Sequence, residues 1–517
     1  MRKLIAIALL FLASCSETKT PDANTISSLK LKRGSVISCG ARDQGFGKVG
    51  FETSCRSELK WDFDMGVALL HSFEYDEAEK VFAKIIDAQP DCAMAYWGVA
   101  MANYHTLWAP PNADEFEKGS KAIAIARSIG AQTEREKSYI NAIGLFYDHH
   151  EKDDHAIRYA RFESAMKTLF ETYEQDPEAA VFYALVLTGG ANPADKTYSK
   201  QKQAVAILEN LYKDRPNHPG IIHYIIHSYD NPQLASLALD EARKYASIAP
   251  SSAHAQHMPS HIFTRLGLWD EDIRSNRDAA NSAKCYAESA GIKGHWDEEL
   301  HSLDYLIYAY LQKNDTISAA REVSYMLSMK EITPFNFKVA YALAASPARL
   351  MLEKHDWKGA AQLKLYPGNI DWSKYLWPKA IHIYARAMGQ ANSGELAGAQ
   401  SSIHEMEIIR DTLLAQKDVY KANQVSIQIN TANAWLLFRS GKQTEGLDWM
   451  IRAADMEDAT QKHAVTPGEV LPARELLGDM LLEMGRSADA IAAYEADLAE
   501  RPNRYHASQV LKDLRRQ

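Results

Sequence analysis

Two pairs of histidines, His223 and His227 in HYIIHSYD and His257 and His261 in HMPSHIFT, recur at an interval of 34 residues. Pro216 and Pro250 stand at the same interval, and so do His71 and His105. A fixed period of this length marks a chain assembled from copies of one supersecondary unit. No such unit buries its apolar face alone, so neighbours must stack and share a continuous core.

Composition says what the unit is made of. Only 26 Gly and 18 Pro occur in 517 residues, too few for a turn-rich all-β chain, and 46% of residues are hydrophobic. Ala, Leu, Glu and Lys are abundant, which favours helices. The formal net charge is −9 and no long basic run stands out, which argues against a nucleic-acid partner.

The segment HSFEYDEAEKVFAKIIDAQPDCAMAYWGVAMA, residues 71–102, carries Tyr75, Asp76-Glu77-Ala78, Phe82 and Pro90, then aromatic and small residues from 96 to 100. It resembles a tetratricopeptide repeat. The resemblance implies two antiparallel helices per repeat, with Ala78 and Gly98 or Ala100 at close helix contacts and Phe82 filling the gap between helices. RLGLWDED, residues 265–272, reads as the turn between two helices, with Gly267 at the helix C-terminus. Later segments at 310–323, 352–363, 438–450 and 482–503 repeat the pattern more loosely, and it blurs between 330 and 440. The expected fold is an all-α, tetratricopeptide-like helical-hairpin solenoid over residues 58–517, about ten to twelve helical pairs. A cap segment at 37–57 precedes it.

The N-terminus reads differently. MRKLIAIALLFLASC has two basic residues and then an apolar run too short to span a bilayer, as in a secretory signal. LASC resembles the bacterial lipoprotein box, which implies a signal peptide over 1–14, lipidation of Cys15 and anchoring to a membrane. With Ser16 after the cysteine, the resemblance implies a cell-envelope location, at the outer membrane facing the periplasm or the surface. Residues 15–36 read as a flexible polar tether.

With Gly267 as the fifteenth repeat position, His257 is fifth and His261 ninth; His223 and His227 take the same places one repeat earlier. In the tetratricopeptide family these positions of the first helix face the concave groove. Residues four apart share one helix face, and packed helices lie about 8–10 Å apart. Four imidazoles on two such helices can converge on one ion, and imidazole suits zinc or copper. Setting Asn314 at the next turn adds His301, Asp304 and Tyr308 to the same face. The expected metal ligands are therefore His223, His227, His257, His261, His301 and Asp304. Pro259 lacks an amide hydrogen for the carbonyl of Ala255, so the helix kinks or begins there.

Other groove-facing candidates for ligand contact are His254, at the second repeat position, Tyr308, His71, Trp97, Met101, Tyr104 and His105. YHTLWAPP, 104–111, could close one end of the groove. YDHHEKDDH, 147–155, reads as a solvated turn. In the tetratricopeptide arrangement the starts of neighbouring helices lie close, which favours a Cys55–Cys92 disulfide; Cys39–Cys55 competes, and Cys285 reads as a buried thiol. No G-x-S-x-G, P-loop or H-E-x-x-H is present, and no G-x-G-x-x-G follows a strand. Three readings remain: a binding protein with a histidine-held transition metal, a metal-free scaffold gripping a peptide or protein in its groove, and a metal-dependent hydrolase or oxidase.

Overall fold

Wherever the sequence predicts a repeat, apolar periodicity forms a helix that packs on the next one in the chain. The computed structural model describes residues 20–39, 45–105, 107, 110–192 and 195–516. The signal peptide and Cys15 lie outside them, as do residues 106, 108 and 109 of the proposed groove wall. The hairpins begin with Lys60–His71 against Tyr75–Ala88 and Ala93–Ala102 against Ala113–Ile129. Those that build the centre of the molecule are Pro219–Tyr229 with Leu239–Ile248, the broken helix Ala253–His257 and Pro259–Leu266 with Trp269–Ser289, and Asp297–Gln312 with Thr316–Ser328. Further hairpins follow to Ser487–Glu500, and Tyr505–Leu514 ends the array. Among the described residues the only strands are two residues each, His295–Trp296 and Ile332–Thr333, paired in parallel. The chain is an all-α, tetratricopeptide-like solenoid.

Local chemistry accounts for the corners. Gly267 takes φ +64° after Leu266, and a Cβ there would also stand 2.2 Å from the carbonyl oxygen of Pro502. Asn314 takes φ +59° at the equivalent turn, a conformation that asparagine tolerates better than most residues. At the first close contact, Phe82 is wholly buried and a Cβ on Gly98 would lie 2.4 Å from its ring. The blurred stretch of sequence has a structural cause. Phe337–Leu352 carries Pro347 in its interior and pairs with a helix of only five residues, Trp357–Ala361.

The N-terminal segment packs back on the helical array. Residues 28–36, expected as tether, lie against the first hairpin. Leu29 and Leu31 are buried, and the Lys32 and Ile37 amides donate to Glu79 and Glu77 at 2.8 Å. Cys39 is bonded to Cys285, so Cys285 is not a free thiol, and Cys55 is bonded to Cys92. The first hairpin crosses to the fifth, where Phe73 packs on His223 with ring centroids 4.4 Å apart.

From the other end, Lys462 reaches Asp230 at 2.6 Å, and Tyr305 donates to the Thr466 carbonyl at 2.9 Å. Trp269 donates to the Asn503 carbonyl at 2.8 Å, and Arg504 donates to the Tyr308 hydroxyl at 3.0 Å. No helix among the described residues is long and apolar enough to cross a membrane.

Candidate metal centre

Two facing helices and the break at Pro259 set the histidine geometry. Pro219–Tyr229 places His223 and His227 one turn apart. Met258 separates Ala253–His257 from Pro259–Leu266, as the missing proline amide requires. The break gathers the histidines into two groups rather than one. His223, His227 and His254 form the first, and His257, His261 and His301 the second. Within each, one ligand atom per residue lies within 4.8 Å of the others. The groups are neighbours, with ring centroids of His227 and His261 5.9 Å apart and those of His254 and His257 6.3 Å apart. All are buried except His227, which is partly exposed.

The hydrogen bonds at the outer nitrogens fix the tautomers in the second group. Asn276 directs its amide nitrogen at the Asp272 carbonyl oxygen, so its Oδ1 is left as acceptor for His257 Nδ1 at 2.7 Å. His261 Nδ1 donates to Asp230 Oδ2 at 2.9 Å. With both protons on Nδ1, each neutral ring carries a bare lone pair on Nε2. Those two Nε2 atoms face each other at 3.1 Å. Two acceptors at that distance repel unless a cation lies between or beside them. A tetrahedral ion with ~2.0–2.1 Å bonds to nitrogen spaces its ligands by about 3.3 Å, close to this geometry. His301 completes the group, its ring centroid 4.2 Å from that of His257. Outer nitrogens held by a carboxylate, an amide oxygen or a main-chain carbonyl are what orient metal-binding imidazoles.

Burial keeps these rings neutral. It pushes His257 and His301 well below the ordinary histidine range, and lowers His261 to about 4 despite its bond to Asp230. Asp230 stays ionised: against its burial, Lys462 and Arg265 hold the carboxyl far below the usual range. Arg265 Nε donates to Asp230 Oδ1 at 2.9 Å. Burial lowers Lys462 in turn, to about 8.

In the first group His223 Nδ1 donates to the His71 carbonyl at 2.6 Å, which again leaves Nε2 bare; it faces His254 Nε2 at 3.1 Å. The Nε2 of His227 is buried and has no hydrogen-bond partner. His254 Nδ1 lies 3.9 Å from Glu298 Oε2, and Glu298 pairs with Lys338.

Several expected ligands are used elsewhere. Asp304 is drawn off to Arg349 and Ser346, because a buried guanidinium outcompetes the imidazoles for its charge. His71 belongs to a separate network: Glu178 lies 2.8 Å from both His71 Nε2 and His218 Nε2, and Tyr224 lies 2.8 Å from His71 Nδ1. That network satisfies its own donors and acceptors. Trp97 is core, edge-on to Tyr139 and Phe182, and Met101 is buried with it. Tyr104 packs on Phe146 and Phe162, and Tyr308 receives Arg504. His105 stacks on Tyr75 at 4.9 Å, beside Glu115. Among the described residues, Trp97 and Tyr104 are covered by aromatic rings of the neighbouring hairpins.

The sequence reading missed Asp230, Asn276 and Lys462 as supports. Asp230 ends the HYIIHSYD stretch itself, three residues after His227, and was within reach. Lys462 arrives from 232 residues away, with no local signal. One further group, His355, Asp479 and His506, sits partly exposed near the C-terminal helix, with Asp479 accepting from His506 at 2.7 Å and from Tyr494 at 2.6 Å.

No protein-family model matches the chain, and no curated protein sequence does. Solved structures similar to it include the human IFIT1 dimer with m7Gppp-AAAA, at 12% identity over 83% of this chain and 94% of that one, with a TM-score of 0.37. Another is the P58(IPK) TPR domain, at 11% identity over 89% of this chain and 98% of that one, with a TM-score of 0.21.

Proposed function

We propose that this chain is a cell-envelope helical-repeat scaffold, lipid-anchored through Cys15, whose interior binds a transition-metal ion through His257, His261 and His301. The observation that carries the metal reading is the pair of bare Nε2 lone pairs of His257 and His261, aimed at each other at 3.1 Å. Their outer nitrogens are committed to Asn276 and Asp230, so neither ring has a proton to offer the other. A borderline-soft ion such as Zn²⁺ or copper suits three neutral imidazoles and would keep one coordination position open. Calcium and magnesium, which take oxygen ligands, fit poorly.

The direct test is elemental analysis of protein purified without an affinity tag, before and after exposure to equimolar Zn²⁺ or Cu⁺ and dialysis. Retained ion, with one equivalent fewer in a folded His261→Gln variant, supports the reading. A wild-type protein that keeps no ion after loading ends it. The anchor rests on residues 1–15 alone, and a Cys15→Ala protein that still partitions with membranes would remove it.

A further inference from the structure

The first histidine group is built like the second and stands beside it. We infer that His223, His227 and His254 bind a second ion of the same class, so that the interior holds a paired-metal centre.

Three observations carry this. His223 and His254 bring Nε2 atoms to 3.1 Å, the spacing found between His257 and His261. The proton of His223 is fixed on Nδ1 by the His71 carbonyl, so its inner nitrogen is a bare acceptor. The Nε2 of His227 is buried with no hydrogen-bond partner, whereas the His71, Glu178 and His218 network is closed. A buried polar nitrogen left open costs stability unless something occupies it. Each group thus supplies an imidazole pair at ligand spacing and a third ring, without borrowing from the other.

Each group has a buried carboxylate behind it. The carboxylate of Glu298 lies on the outer side of His254, as Asp230 does behind His261. Each is buried and paired with a lysine, Lys338 and Lys462 respectively. Two ions on neutral imidazoles therefore have an anionic residue behind each group. The inference rests on the metal reading of the His257 group.

Metal-stripped full-length protein titrated with Co²⁺, followed by its visible absorption and by elemental analysis after dialysis, separates the two claims. The wild type should take two ions per chain. His227→Gln should take one, because it removes the ring whose Nε2 is unpartnered while leaving the closed networks intact, and His261→Gln should also take one. A wild type that takes one ion, lost in His261→Gln and kept in His227→Gln, overturns the second site and leaves the first. A His227→Gln protein that still takes two ions overturns it as well. A wild type that takes none removes both. Should His227→Gln fail to fold by circular dichroism, anomalous scattering from Co²⁺-loaded wild-type crystals decides: two peaks among the six rings support the pair, and one peak refutes it.

Discussion

Replacing Asp230 by asparagine tests the centre and its surroundings together. The carboxylate accepts from His261 Nδ1 at 2.9 Å, from Arg265 Nε at 2.9 Å and from Lys462 Nζ at 2.6 Å. Only 7% of its side chain is exposed, and that of Lys462 is 2% exposed. Asparagine keeps the shape and one acceptor oxygen but removes the charge. Two buried cations then lose their counter-ion, a change that costs about 3–5 kcal/mol when one partner of a buried pair is removed. His261 keeps a neutral acceptor in place of an ionic one, and the loss of such a partner weakens metal binding roughly 10- to 100-fold. Denaturant unfolding of the metal-stripped protein reads the first effect, and a Zn²⁺ competition titration with a chelating dye reads the second. Adding Lys462→Met removes one stranded cation, so the double variant should regain part of the stability and none of the affinity. A folded Asp230→Asn protein that binds Zn²⁺ within twofold of wild type would refute the argument that Asp230 orients His261.

Gly98→Ala should lower stability by about 1–3 kcal/mol through overpacking against Phe82, seen as a lower denaturant midpoint with the slope unchanged. Opening the Cys55–Cys92 bridge, which closes a separation of 37 residues, should cost about 4 kcal/mol by the chain-entropy relation, read by comparing wild type with Cys55→Ser/Cys92→Ser; equal stability would contradict it. Burial lowers the pKa of His506, but its hydrogen bond to Asp479 outweighs burial and raises it to about 9. The folded value exceeds the unfolded one, so the stability it contributes is full below pH ~6.5 and is lost as pH rises to about 9. His506→Gln should flatten the fall in stability across that window, and an unchanged pH profile counts against the pair.

The hairpins were legible because helix formation is local. The corners at Gly267 and Asn314 need a backbone conformation that few residues adopt, and both announced themselves in the sequence. The facing of His257 and His261 was also legible, since a helical repeat turns a spacing of four into one face. The grouping was not. Asp304 has the right position on its helix, but Arg349, 45 residues away, takes its charge, and nothing near Asp304 in sequence reports that. His254 ranked as a minor groove residue because its role depends on the break at Met258, which carries its helix end toward His223. The burial of Trp97 and Tyr104 was illegible for a similar reason. A repeat register shows which side of a helix faces inward, but it is silent on whether a distant segment such as 459–472 will pack on that side.

Open repeat arrays have stabilities that sum over nearest neighbours, and they can fray from either end. Here Cys39 is tied to Cys285, and Lys462 and Asn503 sit on residues of the fifth and sixth hairpins. Loosening a terminal hairpin therefore strips contacts from the middle of the chain. Such a molecule should melt as one cooperative unit, and it should fold slowly for its helix content, because bonds spanning more than 200 residues must close before the interior is sealed.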